Sequence, residues 1–126
     1  MYEETILEES NVDVFNEIGE YAKGKNLNVL YFKVKMPVTA TRFITSIEDM
    51  NKLELGEVDY IHLYDNKEYN LILSIYYDTK SMNSMIDCPY YEVFDGGDVE
   101  RFFNDEKEQM LEYAKGIIDK VAIRGV

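Results

Sequence analysis

Apolar positions along the chain change their period several times, and each change predicts an element. From Asn11 to Lys23, Val14, Phe15, Ile18, Tyr21 and Ala22 recur at helical spacing, with Gly24 as a C-terminal stop. Glu3, Glu4, Glu8 and Glu9 come just before this helix, where carboxylates complement the positive end of its dipole. From Leu27 to Met36 the period falls to two, with Leu30, Phe32, Val34 and Met36 on one side and Tyr31, Lys33 and Lys35 on the other. This is the pattern of a half-buried strand, ended by Pro37.

The β-branched stretch from Val38 to Thr45 suits a second strand, and Ser46 with Asp49 opens a short helix over Ile47 to Leu53, before Gly56. Val58 to Tyr77 is the clearest local unit, two apolar runs joined by Asp65-Asn66-Lys67-Glu68, and it reads as an antiparallel hairpin. Ile61, Leu63, Leu71, Leu73, Ile75 and Tyr77 then face a core, and Tyr60, His62, Tyr64 and Tyr76 face the other way. A polar loop follows Asp78, and Met85 to Phe94 reads as an edge strand interrupted by Pro89. Asp95-Gly96-Gly97 forms a turn, and Asp98 caps a long C-terminal helix whose stripe is Phe102, Phe103, Met110, Tyr113, Ala114, Ile117, Ile118 and Val121.

The order predicts an α+β fold: an antiparallel sheet of three to five strands with an N-terminal and a long C-terminal helix packed on it. At 126 residues, 46% of them hydrophobic, the chain is expected to form a single domain spanning residues 1–126. One cysteine, no membrane-length apolar run and an acidic N-terminus without the features of a secretory signal lead to a cytoplasmic expectation.

Candidate chemistry is sparse. His62 is the sole histidine and Cys88 the sole cysteine, so a nucleophile–histidine pair has little to draw on, and Asp87 and Glu92 disfavour a thiolate at Cys88. Cysteine and histidine ligands for zinc are too few, the calcium-loop pattern is missing, and Gly96-Gly97 lacks the surroundings of a phosphate loop. The expectation is a protein that is not an enzyme and uses no cofactor or metal.

Charge changes the picture most. The chain has 25 acidic against 13 basic side chains, a formal net charge of −12, so its field repels nucleic acid and anionic membranes and attracts basic partners. Eight carboxylates, Glu92, Asp95, Asp98, Glu100, Asp105, Glu106, Glu108 and Glu112, crowd the region from 92 to 112 against Arg101 and Lys107. Seven more lie between Glu3 and Glu20, with no basic residue among them. If the two helices are neighbours, their solvent faces form a carboxylate surface, interleaved with Tyr90, Tyr91 and Tyr113.

Such a surface imitates a nucleic-acid backbone and fits a basic groove on a nuclease or nucleic-acid-binding protein. Phage anti-defence proteins such as anti-CRISPR proteins, and immunity proteins against nuclease toxins, work in this physical manner. The alternative expectation is a structural or regulatory module that dimerises through the aromatic sheet face of Tyr60, His62, Tyr64 and Tyr76.

Overall fold

The computed structural model describes residues 3–37, 55–78 and 89–123. In chain order these form β1 (Glu3–Leu7), α1 (Asp13–Gly24), β2 (Asn28–Pro37), β3 (Leu55–Tyr64), β4 (Leu71–Asp78), β5 (Tyr90–Phe94), β6 (Val99–Phe103), a 3-10 turn (Asn104–Glu106) and α2 (Lys107–Ile123). The strands make one antiparallel sheet in sequence order, β1 to β6, so the fold is α+β with six strands rather than three to five. The expected strand at 38–45, the short helix at 47–53, the polar loop after Asp78 and Cys88 lie outside the described residues.

Two of the six strands come from segments that the sequence places ahead of the first helix or within the C-terminal one. Glu3–Leu7 is not a charged lead-in to α1. It pairs with β2 and sets Glu3 opposite Lys35 and Thr5 opposite Lys33, so the acidic strand meets a basic neighbour. The helix start is organised instead by Ser10, whose hydroxyl accepts the Val12 N–H at 3.0 Å while the Asn16 side chain bonds the Ser10 N–H and carbonyl.

Val99–Phe103 likewise is not the first part of the C-terminal helix. The Asp95 carboxylate accepts the N–H groups of Gly97 and Asp98, Gly96 takes φ 100°, and the chain reverses into a β5–β6 hairpin. Asp98 therefore caps no helix, and Tyr90–Phe94 is an interior strand between β4 and β6 rather than an edge. The helix begins at Lys107, after the Glu106 carboxylate has accepted the Phe103 N–H at 2.9 Å.

Both helices pack on one face of the sheet. Phe15, Ile18 and Ala22 of α1 and Met110, Ala114 and Ile118 of α2 are fully buried against Ile61, Leu63, Leu73, Ile75 and Val93. The expected C-terminal stripe from Met110 onward is the stripe that faces this core. Strand β2 contributes Val29 and Tyr31 to the same side, and α1 comes so close to Tyr31 that a Cβ on Gly19 would lie 1.8 Å from the phenol oxygen. Glycine is needed at position 19 for that approach, not for its φ.

The β3–β4 hairpin forms as its sequence predicts, with Ile61 opposite Ile75 and Leu63 opposite Leu73. Asp65 closes it: one carboxylate accepts the backbone N–H groups of Lys67, Glu68, Tyr69 and Asn70, and these bonds hold its pKa below the ordinary carboxylate value. A register shift at Leu63/Tyr64 displaces the end of the ladder, which leaves Leu71 exposed instead of in the core.

Candidate protein-interaction site

Eight carboxylates and two tyrosines stand out in the sequence between residues 90 and 112, and the structure divides them. Tyr90 and Tyr91 are only 2% and 3% exposed, so neither offers contact area to a partner. They follow one another in β5 and therefore point to opposite faces. Tyr91 packs with Phe15 and Tyr77 in the helix-side core, where burial pushes its phenol up to about 12. Tyr90 lies on the sheet face opposite α1 and α2, under the Arg101 guanidinium. Alternation cannot foretell that both sides of an interior strand are covered.

Three of the carboxylates are engaged inside the chain. Glu92 lies on the sheet face opposite α1 and α2 and pairs with Arg101 at 3.2 Å, Asp95 is held by its turn, and Glu106 caps the Phe103 N–H. The backbone N–H groups of Asp98 and Gly97 keep the Asp95 carboxyl below its ordinary pKa.

Asp98, Glu100, Asp105, Glu108 and Glu112 are exposed, and none has an ion-pair partner among the described residues. Glu100 points to the helix side of β6, the side where Phe102 meets Tyr113 of α2 at a ring separation of 5.6 Å. Burial raises the Tyr113 phenol first, and the nearby charges of Asp95, Glu100 and Asp98 raise it further. Tyr113 is thus the tyrosine that sits among the carboxylates.

The two helices are neighbours. The Tyr21 hydroxyl donates to Asp119 at 2.6 Å, and Lys115 and Lys25 pair with Glu17 and Asp119. These contacts consume the positive charge along the seam between α1 and α2. The carboxylates left over, Asp13 on α1 and Glu108 and Glu112 on α2, extend the strip that begins at Asp98 and Glu100. What the arrangement can do chemically is attract and hold a cationic surface, because close, unpaired, solvated carboxylates add their fields. Among the described residues no group of three or more His, Cys, Asp or Glu side chains is placed to hold a metal ion.

The opposite sheet face is a second candidate, and no helix among the described residues packs on it. Tyr60, His62, Tyr64 and Tyr76 lie there as their alternation predicts, each half-buried. Phe32 joins them, stacked on Tyr60 at 4.8 Å, with His62 edge-on to Phe32 and its Nδ1 3.1 Å from the Tyr64 hydroxyl. Burial lowers the His62 pKa, and the Glu4 charge opposes that shift in part. Val34, Val58 and Tyr90 are buried on this face, whereas Ile6, Phe94, Val99 and Phe103 are exposed on it. Glu4 is the participant that the sequence hides, although the alternation of Glu4, Thr5 and Ile6 in EETIL is a readable trace of it.

Among the described residues no helix is long and apolar enough to cross a membrane. Comparison of the chain with known protein families, with curated proteins and with solved structures finds no match.

Proposed function

We propose that this protein is a small acidic inhibitor, without catalysis of its own, that occupies the basic nucleic-acid-binding surface of a nuclease or nucleic-acid-binding protein. The observation that carries the reading is the strip of exposed carboxylates without an ion-pair partner among the described residues, Asp98, Glu100, Asp105, Glu108 and Glu112, running along β6 and the start of α2 beside Tyr113. Spaced charges of one sign on a rigid hairpin and helix resemble a phosphate backbone to a lysine- and arginine-lined groove. Their attraction speeds encounter more than it strengthens the final complex. Phage anti-defence and toxin-immunity inhibitors are the functional types that this chemistry fits.

The test is capture from a nuclease-treated lysate with rising-salt elution, run in parallel with the variant Glu100→Lys/Asp105→Lys/Glu108→Lys. The expected result is a basic protein that leaves the wild type at moderate salt, is not retained by the variant, and loses its nucleic acid when the wild type is added. Equal retention of the same proteins by both forms refutes the reading.

A second reading has its own observation. Phe94 and Val99, 43% and 54% exposed, face each other at the turn end of the β5–β6 edge on the sheet face opposite α1 and α2, and Phe103, 38% exposed, lies on the same face at the other end of β6. On that reading the chain is a structural or regulatory module that self-associates through the sheet. Sedimentation then shows a dimer that persists at high salt, whereas a monomer throughout excludes it.

A further inference from the structure

Strand β6 ends one side of the described sheet, and its bonding phase shows which main-chain groups it turns outward. The Asp95 N–H donates to the Asp98 carbonyl at 3.4 Å across the β5–β6 turn, and the bonds of an antiparallel ladder recur at every second residue. Glu100 opposite Val93 and Phe102 opposite Tyr91 therefore bond inward to β5, while Val99, Arg101 and Phe103 direct their N–H and C=O groups away from it. Phe103 fits this phase, since its N–H is turned to the Glu106 carboxylate at 2.9 Å. Glu106 thereby ends the outward row. Among the described residues no strand pairs with the outer groups of Val99 and Arg101, and both residues are exposed. An edge of this kind is a template for an added strand.

Side chains along the edge differ between its two sides. Glu100 lies on the helix side, and Asp95, Asp98 and Glu100 are all near enough to Tyr113 for their charges to act on its phenol. Val99 and Phe103 lie on the other side, 54% and 38% exposed, with Arg101 between them engaged by Glu92 and the Tyr90 ring. An added strand thus meets carboxylates on one side and apolar surface on the other. A second copy of the chain is a poor occupant: antiparallel pairing centred on Glu100 opposes two carboxylates, pairing centred on Arg101 opposes two guanidinium groups, and either brings together two chains of charge −12.

We propose that β6 accepts, as an added antiparallel strand, an extended segment of another protein with lysine or arginine at alternate positions and apolar residues between them. The residue opposite Glu100 falls in a pair without main-chain bonds, where side chains approach most closely, at about 4.5 Å between Cα atoms, and a basic side chain there meets the carboxylate. The next basic residue, two positions on, comes opposite Asp98, and the residue between them lies against Val99. The inference rests on the inhibitor reading for the charge of the partner and adds how the partner is gripped: main-chain bonds to Val99 and Arg101 hold the segment, and the carboxylates select its alternation.

The test is a titration of isotope-labelled protein, followed by NMR, with N-acetyl-valyl-lysyl-valyl-lysyl-valine amide, with its glutamate-for-lysine counterpart, and with the same residues reordered as valyl-valyl-lysyl-lysyl-valine. Binding of the alternating lysine peptide is expected at about millimolar concentration, a range fitting one short set of contacts. Near saturation, amide exchange at Val99 and Arg101 should slow by about threefold, with Glu100 and Phe102 unaffected. Val99→Pro removes one outward donor at a position where an edge strand accommodates proline, and should weaken the peptide by about threefold to tenfold. The exchange measurement on the wild type reads the contact even if that variant does not fold. The proposal is overturned by unchanged exchange at Val99 and Arg101, or by equal binding of the glutamate or the reordered peptide. Capture of the same basic protein by folded Val99→Pro as strongly as by wild type overturns the edge contact and leaves the inhibitor reading standing. Slowed exchange at Val99 and Arg101 with the lysine peptide, without any basic protein captured from the lysate, supports the edge and counts against that reading.

Discussion

Alanine in place of glycine should have opposite effects in the two helices. In isolation, Gly→Ala inside a helix stabilises by about 1 kcal/mol, because alanine loses less backbone freedom on folding. At Gly116, exposed on α2, an added Cβ meets nothing within 4 Å, so Gly116→Ala should gain most of that amount. At Gly19 the same Cβ lies 1.8 Å from the Tyr31 oxygen and 2.7 Å from Cζ. The hydroxyl would have to retreat by about 1.6 Å to reach the 3.4 Å of ordinary contact.

Tyr31 is 4% exposed and part of the helix-side core, so its ring has little room to move. Overpacking of this kind costs about 1–3 kcal/mol, and a clash this deep belongs at the upper end. Set against about 1 kcal/mol of propensity, Gly19→Ala should be destabilised by about 2 kcal/mol. For a chain of this size that is a drop in Tm of about 6 °C, against a rise of up to about 3 °C for Gly116→Ala. Thermal and urea unfolding followed by circular dichroism read both. Tyr31→Phe added to Gly19→Ala should restore part of the loss, since it removes the 1.8 Å contact and leaves the one at 2.7 Å. A Gly19→Ala protein as stable as wild type, or more so, refutes the close approach of α1 to β2.

Two carboxylates give pH predictions of opposite sign. Asp59 is buried with Oδ1 unpaired; burial raises its pKa above 3.8, the Lys33 charge opposes this, and the Glu57 charge adds to it. A raised folded-state pKa means that the folded chain holds the proton more tightly, so the contribution is favourable at low pH and is lost as pH climbs from 3.8 through the raised value. Asp59→Asn should remove that slope and stabilise the protein at neutral pH by about 1 kcal/mol, as measured by urea unfolding across pH; an unchanged slope would contradict the assignment. Asp65, with its pKa depressed, behaves in reverse: its contribution is present at neutral pH and is lost as pH falls below 3.8 through the folded value. Asp65→Ala should lower Tm at neutral pH and leave it nearly unchanged in acid, and an equal loss at both would count against the four-bond turn. Charge reversal of Glu100, Asp105 and Glu108 should abolish retention of a basic partner without changing Tm, since all three are exposed and have no ion-pair partner among the described residues.

Much of this architecture is written in local pattern. Helical spacing of Val14, Phe15, Ile18 and Ala22, alternation in β2, the paired apolar runs around Asp65 and the stripe from Met110 to Val121 each suffice to identify an element, because side-chain period is a property of the backbone alone. The acidity and its clustering are likewise a matter of composition. Tertiary structure decided what period cannot. Five-residue edge strands such as Glu3–Leu7 and Val99–Phe103 become strands only because a neighbour supplies their hydrogen bonds and their charge partners. Whether Tyr90 and Tyr91 are contacts or core depended on both faces of β5 being covered. And the sheet, by bringing Glu4 beside rings 28 to 60 residues away in sequence, made a groove from residues that share no motif, since proximity across strands is set by register rather than by spacing along the chain.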